Sequence, residues 1–241
     1  MLRWHTVVAA AGVFCASAAA LSAVDPGAAV APRMEFTPPR AGSYALQKIQ
    51  PIADATLLDA RGRPTRLSAA TTGRITLLTF FYTYCADPLG CPFAYHTLAE
   101  VRRGVVKDAR LVQQVRFLSV SLDPTTDTPE AIGRYKDMVM NDSPLEWNVL
   151  TARSVRDLLP VLDDFGQDVS VEQAADGTPR RTVHHMLKMF LIDRTGMVRE
   201  IYTLAFLQPE VILNDIRTLY LEEKSEGAVT HHLTSVTANI R

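Results

Sequence analysis

Cysteine is scarce in this chain of 241 residues: there are three, Cys15, Cys85 and Cys91. That number excludes a small disulfide-dense scaffold. No Cys-x-x-Cys pair occurs, so the common dithiol oxidoreductase motif and the Cys-x-x-Cys-His haem attachment site are both missing. A zinc knuckle, with four ligands and closely paired cysteines, is missing as well. The 12 glycines and the absence of heptads exclude collagen-like and coiled-coil chains. Charge excess is lacking: 25 Lys and Arg stand against 26 Asp and Glu, for a formal net charge of −1. A nucleic-acid binder would show a basic surplus. No internal repeat is visible. What remains is 47% hydrophobic and 21% charged, the balance of a globular chain long enough for one well-buried domain.

The two ends differ from the middle. Residues 1–23 carry Arg3, an apolar run from Val7 to about Ala16, and small-residue sites at Ala16-Ser17-Ala18 and Ala18-Ala19-Ala20. This pattern reads as a secretory signal peptide. Left uncleaved, the same alanine-rich run would be a membrane anchor, although it is short against the roughly 20 residues a span needs. Removal of the segment takes Cys15 with it. Residues 24–45 read as a Pro- and Ala-containing spacer, 46–225 as the domain, and 226–241 as a flexible tail. An exported protein, periplasmic or held at the outer face of the inner membrane, is the expectation.

Between the ends, strands and helices alternate. Ile52–Leu58 and Thr65–Leu67 flank a turn at Ala60-Arg61-Gly62-Arg63. Ile75–Tyr82 is a continuous β-branched and aromatic run that predicts a strand buried on both faces, and Val115–Leu122 predicts another buried strand. Phe93–Val106 has helical spacing. Thr128-Pro129 opens a helix to about Met140, and Ser154 caps another to Phe165, which Pro160 should kink or divide. Glu146–Leu150 is a short strand, and Gly166–Thr182 an inserted loop or hairpin. Leu187–Ile192 and Met197–Tyr202 form a hairpin around Asp193-Arg194-Thr195-Gly196, and a last helix from Gln208 ends near Leu221. Parallel βαβ units closed by an antiparallel hairpin and helix give an α/β, thioredoxin-like fold: a central mixed sheet flanked by helices.

Cys85 and Cys91 lie just after the first long strand, with Pro92 opening the next helix. The positive end of that helix should favour a thiolate at Cys91. From the residues alone, the pair can be a metal site, a redox pair or an inert staple. A staple over so short a separation closes little loop entropy. A peroxiredoxin is disfavoured, because Tyr82 stands where a Thr precedes the reactive Cys in that family.

Three blocks together resemble the Sco/SenC family of thioredoxin-like copper proteins, over about Ile52 to Leu221. They are ITLLTFFYTYC…CPF, Phe117-Leu118-Ser119-Val120-Ser121-Leu122-Asp123-Pro124-Thr125-Thr126-Asp127-Thr128-Pro129, and His184-His185-Met186-Leu187-Lys188-Met189-Phe190-Leu191-Ile192-Asp193. The resemblance implies a copper site, Cu(I) or Cu(II), built from Cys85, Cys91 and His185, since soft thiolates suit Cu(I) and imidazole also accepts Cu(II). Counting back from the Leu-Ile-Asp triplet selects His185 over His184, and a strand would turn the two to opposite faces. The spacing departs from the family's Cys-x-x-x-Cys: Ala86–Gly90 makes the loop two residues longer. The resemblance implies a metallochaperone whose partner is an apo copper protein, such as a cytochrome oxidase subunit. The alternative is a thiol-disulfide oxidoreductase acting through Cys85 and Cys91. His96 and the pair His231–His232 are expected to be ordinary surface or core histidines, and Met186 and Met189 core side chains. Asp87, Asp123 and Asp127 are expected to form turns and caps.

Overall fold

The computed structural model describes residues 34–139 and 143–238; residues 1–23, expected to be a signal peptide, lie outside them. In chain order the elements are β1 (Gln50–Pro51), β2 (Thr56–Asp59), β3 (Pro64–Arg66), α1 (Leu67–Thr71), β4 (Ile75–Phe81), α2 (Cys91–Val106), α3 (Ala109–Val112) and β5 (Val115–Ser121). There follow α4 (Pro129–Val139), β6 (Glu146–Thr151), α5 (Val155–Asp164), β7 (Val169–Gln173), β8 (Pro179–His185), β9 (Lys188–Ile192), β10 (Met197–Thr203) and α6 (Pro209–Ala238).

Eight strands form one sheet in the order β1-β10-β9-β4-β5-β6-β2-β3. β4, β5 and β6 are parallel, and β9 runs antiparallel on the other side of β4. All seven residues of both β4 and β5 are buried between helices on the two faces; the polar side chains of β5, Arg116, Ser119 and Ser121, are each hydrogen-bonded there. Side chains alternate between the faces. Leu78, Phe80, Leu118 and Val120 join the cluster under α4 and α5, while Ile75, Leu77, Val115 and Phe117 pack towards α2 and α6. On the first face Phe80, Phe165 and Phe190 meet edge-to-face, with ring centroids 4.8 to 6.1 Å apart.

The thioredoxin-like layout matches the expectation, and several boundaries differ. α2 begins at Cys91 itself, because Pro92 occupies its first turn. α5 is continuous across Pro160, whose ring faces solvent. The insertion is a hairpin, β7–β8, turning at Asp176-Gly177, and it forms a separate two-stranded sheet. His185 is therefore the last residue of the inserted hairpin; the next strand begins at Lys188. α6 does not stop near Leu221 but runs to Ala238, since Glu222-Glu223-Lys224 are good helix formers and no proline interrupts them. The end of the presumed spacer is docked: the Tyr44 hydroxyl donates to Asp215, the Gly42 amide donates to Thr218 Oγ1 (2.9 Å), and Asn214 Nδ2 donates to the Pro39 carbonyl (3.0 Å).

Phe190 joins both partners of the aromatic trio and is 1% exposed. Replacing it by alanine should cost about 3–5 kcal/mol in urea unfolding, with the midpoint lowered and the slope unchanged.

Candidate metal centre

The cysteine loop leaves the carboxyl end of β4, where parallel sheets gather their ligand-binding residues. Its entry arm, Tyr82-Thr83-Tyr84-Cys85, is held from behind by the segment after β5. Asp127 is fully buried and accepts hydrogen bonds from the Thr83 amide (3.1 Å), Thr83 Oγ1 (2.5 Å) and Ser121 Oγ (2.6 Å). Burial pushes its carboxyl up, against the hydrogen bonds that favour the charged form. Asp123 accepts from the Tyr84 hydroxyl at 2.6 Å. These two aspartates thus do more than turn the chain: they anchor the arm that carries Cys85.

Asp87 folds the loop back. Its carboxylate accepts from the Leu89 amide (3.0 Å) and its carbonyl from the Gly90 amide (2.9 Å). Gly90 then lies so close to the first cysteine that a Cβ there would stand 3.2 Å from Cys85 Sγ. The longer loop therefore still brings the cysteines together, and both are free thiols.

Cys91 is 3% exposed, while Cys85 is half-buried. The Cys91 thiol donates to Cys85, and this bond is the largest influence holding the Cys85 thiol well below its usual range. Burial opposes it; the Tyr82 hydroxyl and the backbone amides of Cys91 and Asp87 assist it. Cys91 is pushed the other way, by the same hydrogen bond, by burial and by the neighbouring thiolate. The expectation of a thiolate at Cys91 is thus reversed. Cys91 does sit at the helix start, but it is buried, and Cys85 is where the negative charge is solvated and hydrogen-bonded.

Tyr82 links this pair to the histidine. Its ring meets His185 edge-on, centroids 6.0 Å apart, while its hydroxyl faces Cys85. The His185 Nδ1 is 3.3 Å from the Met186 carbonyl. A carbonyl only accepts, so Nδ1 carries the proton and Nε2 is left with its lone pair. Burial lowers the His185 pKa and keeps the ring neutral, against the Met186 carbonyl and the charges of Cys85 and Asp87. Among the described residues no three His, Cys, Asp or Glu side chains stand close enough to enclose a metal ion. The two cysteines meet, and His185 stands beside them across Tyr82.

All of this borders a cleft of about 780 Å³ whose walls include Tyr82, Cys85, Asp87, Asp168, His184 and His185. Two aspartates line it, and among the described residues no lysine or arginine does. His96 is not brought here; it is exposed, 3.9 Å from Glu100 on the same helix. His231 and His232 fall on the far part of α6. Met189 is buried as expected, but Met186 is 59% exposed on the cleft. Sequence reasoning missed the roles of Tyr82 and Gln167, which hold the site through contacts between segments far apart in the chain.

In the reduced protein Cys85 should alkylate with iodoacetamide well before Cys91, and its reactivity should persist as pH falls below neutrality. Peptide mass mapping from pH 5 to 9 reads both. In the same assay Asp127→Ala should shift the Cys85 profile to higher pH, because the arm loses its anchor.

No curated protein matches the chain. Solved structures do. A copper-bound ScoI of Bradyrhizobium japonicum is 24% identical and covers 70% of this chain and 98% of its own, with a TM-score of 0.56. A SCO1/SenC family lipoprotein of Bacillus anthracis is 25% identical over 70% of this chain and 95% of its own, with a TM-score of 0.58. BsSco, described as a Sco-family cytochrome c oxidase assembly protein with a disulfide switch, is 18% identical over 73% and 98%, with a TM-score of 0.54. These likenesses share the thioredoxin-like fold, and the SCO1/SenC family pattern itself spans residues 47–221. By that match over most of its length, the chain belongs to the SCO1/SenC family.

Proposed function

We propose that the chain is an exported, Sco-type copper metallochaperone. Copper is its cargo, taken by the two cysteine sulfurs and the free Nε2 of His185. The observation that carries this reading is the donor set on an anionic wall: the Cys85 thiol, backed by the buried Cys91, and a neutral imidazole border a cleft that has two aspartates and no cationic side chain among its described residues. Soft sulfur donors suit Cu(I), and the imidazole accommodates Cu(II). The relatives solved with copper bound support the same reading.

The recipient would be an apo copper protein offering Cys, His or Met ligands. A cytochrome oxidase subunit is the candidate that the BsSco likeness supports. The signal-like segment 1–23 supports delivery in the periplasm, or at the outer face of the inner membrane if the segment stays attached. A second reading, thiol-disulfide exchange on a partner's cysteines, draws on a different observation. Cys85 is accessible, its thiolate is favoured, and its resolving thiol is in contact.

Titration of the reduced protein with Cu(I) and with Cu(II) should each saturate at one metal per chain. The Cu(II) form should show sulfur-to-copper charge transfer that His185→Ala removes, while Cu(I) binding to the thiols survives. If copper fails to bind and the cysteines instead close to a disulfide, the exchange reading replaces the copper one.

A further inference from the structure

Cys91 is buried, so it cannot be the first group an incoming ion meets. The cleft has two other soft donors nearer to solvent. We propose that His184 and Met186 form a capture site for Cu(I) at the rim of the cleft, ahead of the cysteine pair. This rests on the copper reading above.

His184 and Met186 flank His185 on the wall of the cleft and are more exposed than it is. Burial alternates along the segment: Val183 and Leu187 are inside, while His184 and Met186 are exposed. Both side chains border the same cleft as Cys85. The Met186 carbonyl is held from within, by the buried Gln167 Nε2 at 3.0 Å and by His185 Nδ1 at 3.3 Å. The pinned carbonyl fixes the rim in place and leaves the thioether in solvent. An exposed methionine gives up the free energy of burying its apolar surface, and Met189, three residues on, is fully buried.

The chemistry of this pair selects a soft ion. Thioether and imidazole suit Cu(I), whereas Ca²⁺ and Mg²⁺ require several oxygen ligands. Asp87 and Asp168 on the cleft walls attract a cation, with no lysine or arginine among the described lining residues to repel it. Transfer inward is ligand exchange with no change of oxidation state. The bonds from copper to Met186 Sδ and the His184 ring break as bonds to Cys85 Sγ and then Cys91 Sγ form. The Cys91 thiol proton passes to water.

The test removes the thiols first. A full chain carrying Cys15→Ser, Cys85→Ser and Cys91→Ser is titrated with Ag(I), a redox-inert stand-in for Cu(I), while the Met186 methyl carbon resonance is followed. One equivalent should shift that resonance, and His184→Gln or Met186→Leu should abolish the binding. In chains that keep their cysteines, the same two substitutions should leave copper stoichiometry unchanged. They should slow Cu(I) uptake from a chromogenic chelator by about tenfold, the lower end of what lost supporting groups cost metal sites. A Met186 methyl that does not respond, or uptake as fast in both variants as in the unaltered chain, overturns the proposal. Absence of copper binding in the unaltered chain would instead overturn the copper reading, and the thiol-free titration would still report on the rim.

Discussion

The burial of β4 on both faces is the constraint on which the site depends. Seven consecutive residues are buried, and their strand is paired along its whole length with β5 on one side and over Thr76–Thr79 with β9 on the other. Such a strand cannot shift register without moving its side chains to the wrong face. It therefore delivers the loop that follows it to a fixed place. Asp127 and Asp123 extend that rigidity to Thr83 and Tyr84, so Cys85 starts from a defined position although its loop is two residues longer than the family's usual spacing.

Electrostatics then divides the labour between two chemically identical groups. Cys91 is placed at a helix start, and that position alone would favour its thiolate. The hydrogen bond to Cys85, with burial behind it, outweighs that effect. The buried thiol becomes a hydrogen-bond donor, and the half-buried partner takes the charge. Tyr82 contributes to both halves of the site, facing the thiolate with its hydroxyl and the imidazole with its ring edge.

Much of this was legible in the sequence, for identifiable reasons. The strands expected at Ile75–Tyr82 and Val115–Leu122 are the buried parallel strands Ile75–Phe81 and Val115–Ser121, and Thr128-Pro129 and Ser154 marked the helix starts. The Asp193–Gly196 turn closed the predicted hairpin, with Gly196 at φ +85°, where a side chain would be strained. Other features were not local. α6 continues past Leu221 because nothing in the chain stops it, and polar composition is a weak signal for its end. The exposure of Met186 was hidden, because a methionine beside apolar residues reads as core until the Gln167 hydrogen bond fixes its carbonyl. The ionisation of the cysteines depends on burial by distant segments, which spacing does not encode.

The three sequence-predicted donors come from two separate sheets. The sulfurs ride on the eight-stranded sheet and α2. The imidazole ends a hairpin whose strands, among the described residues, pair only with each other. Moving the imidazole would therefore break no rung of the main sheet. What holds it in place is side-chain packing, with Val183 of the same strand buried in the core and Val169 of its partner strand packed against it. The third donor is thus set by contacts that can loosen locally, the first two by a sheet that cannot.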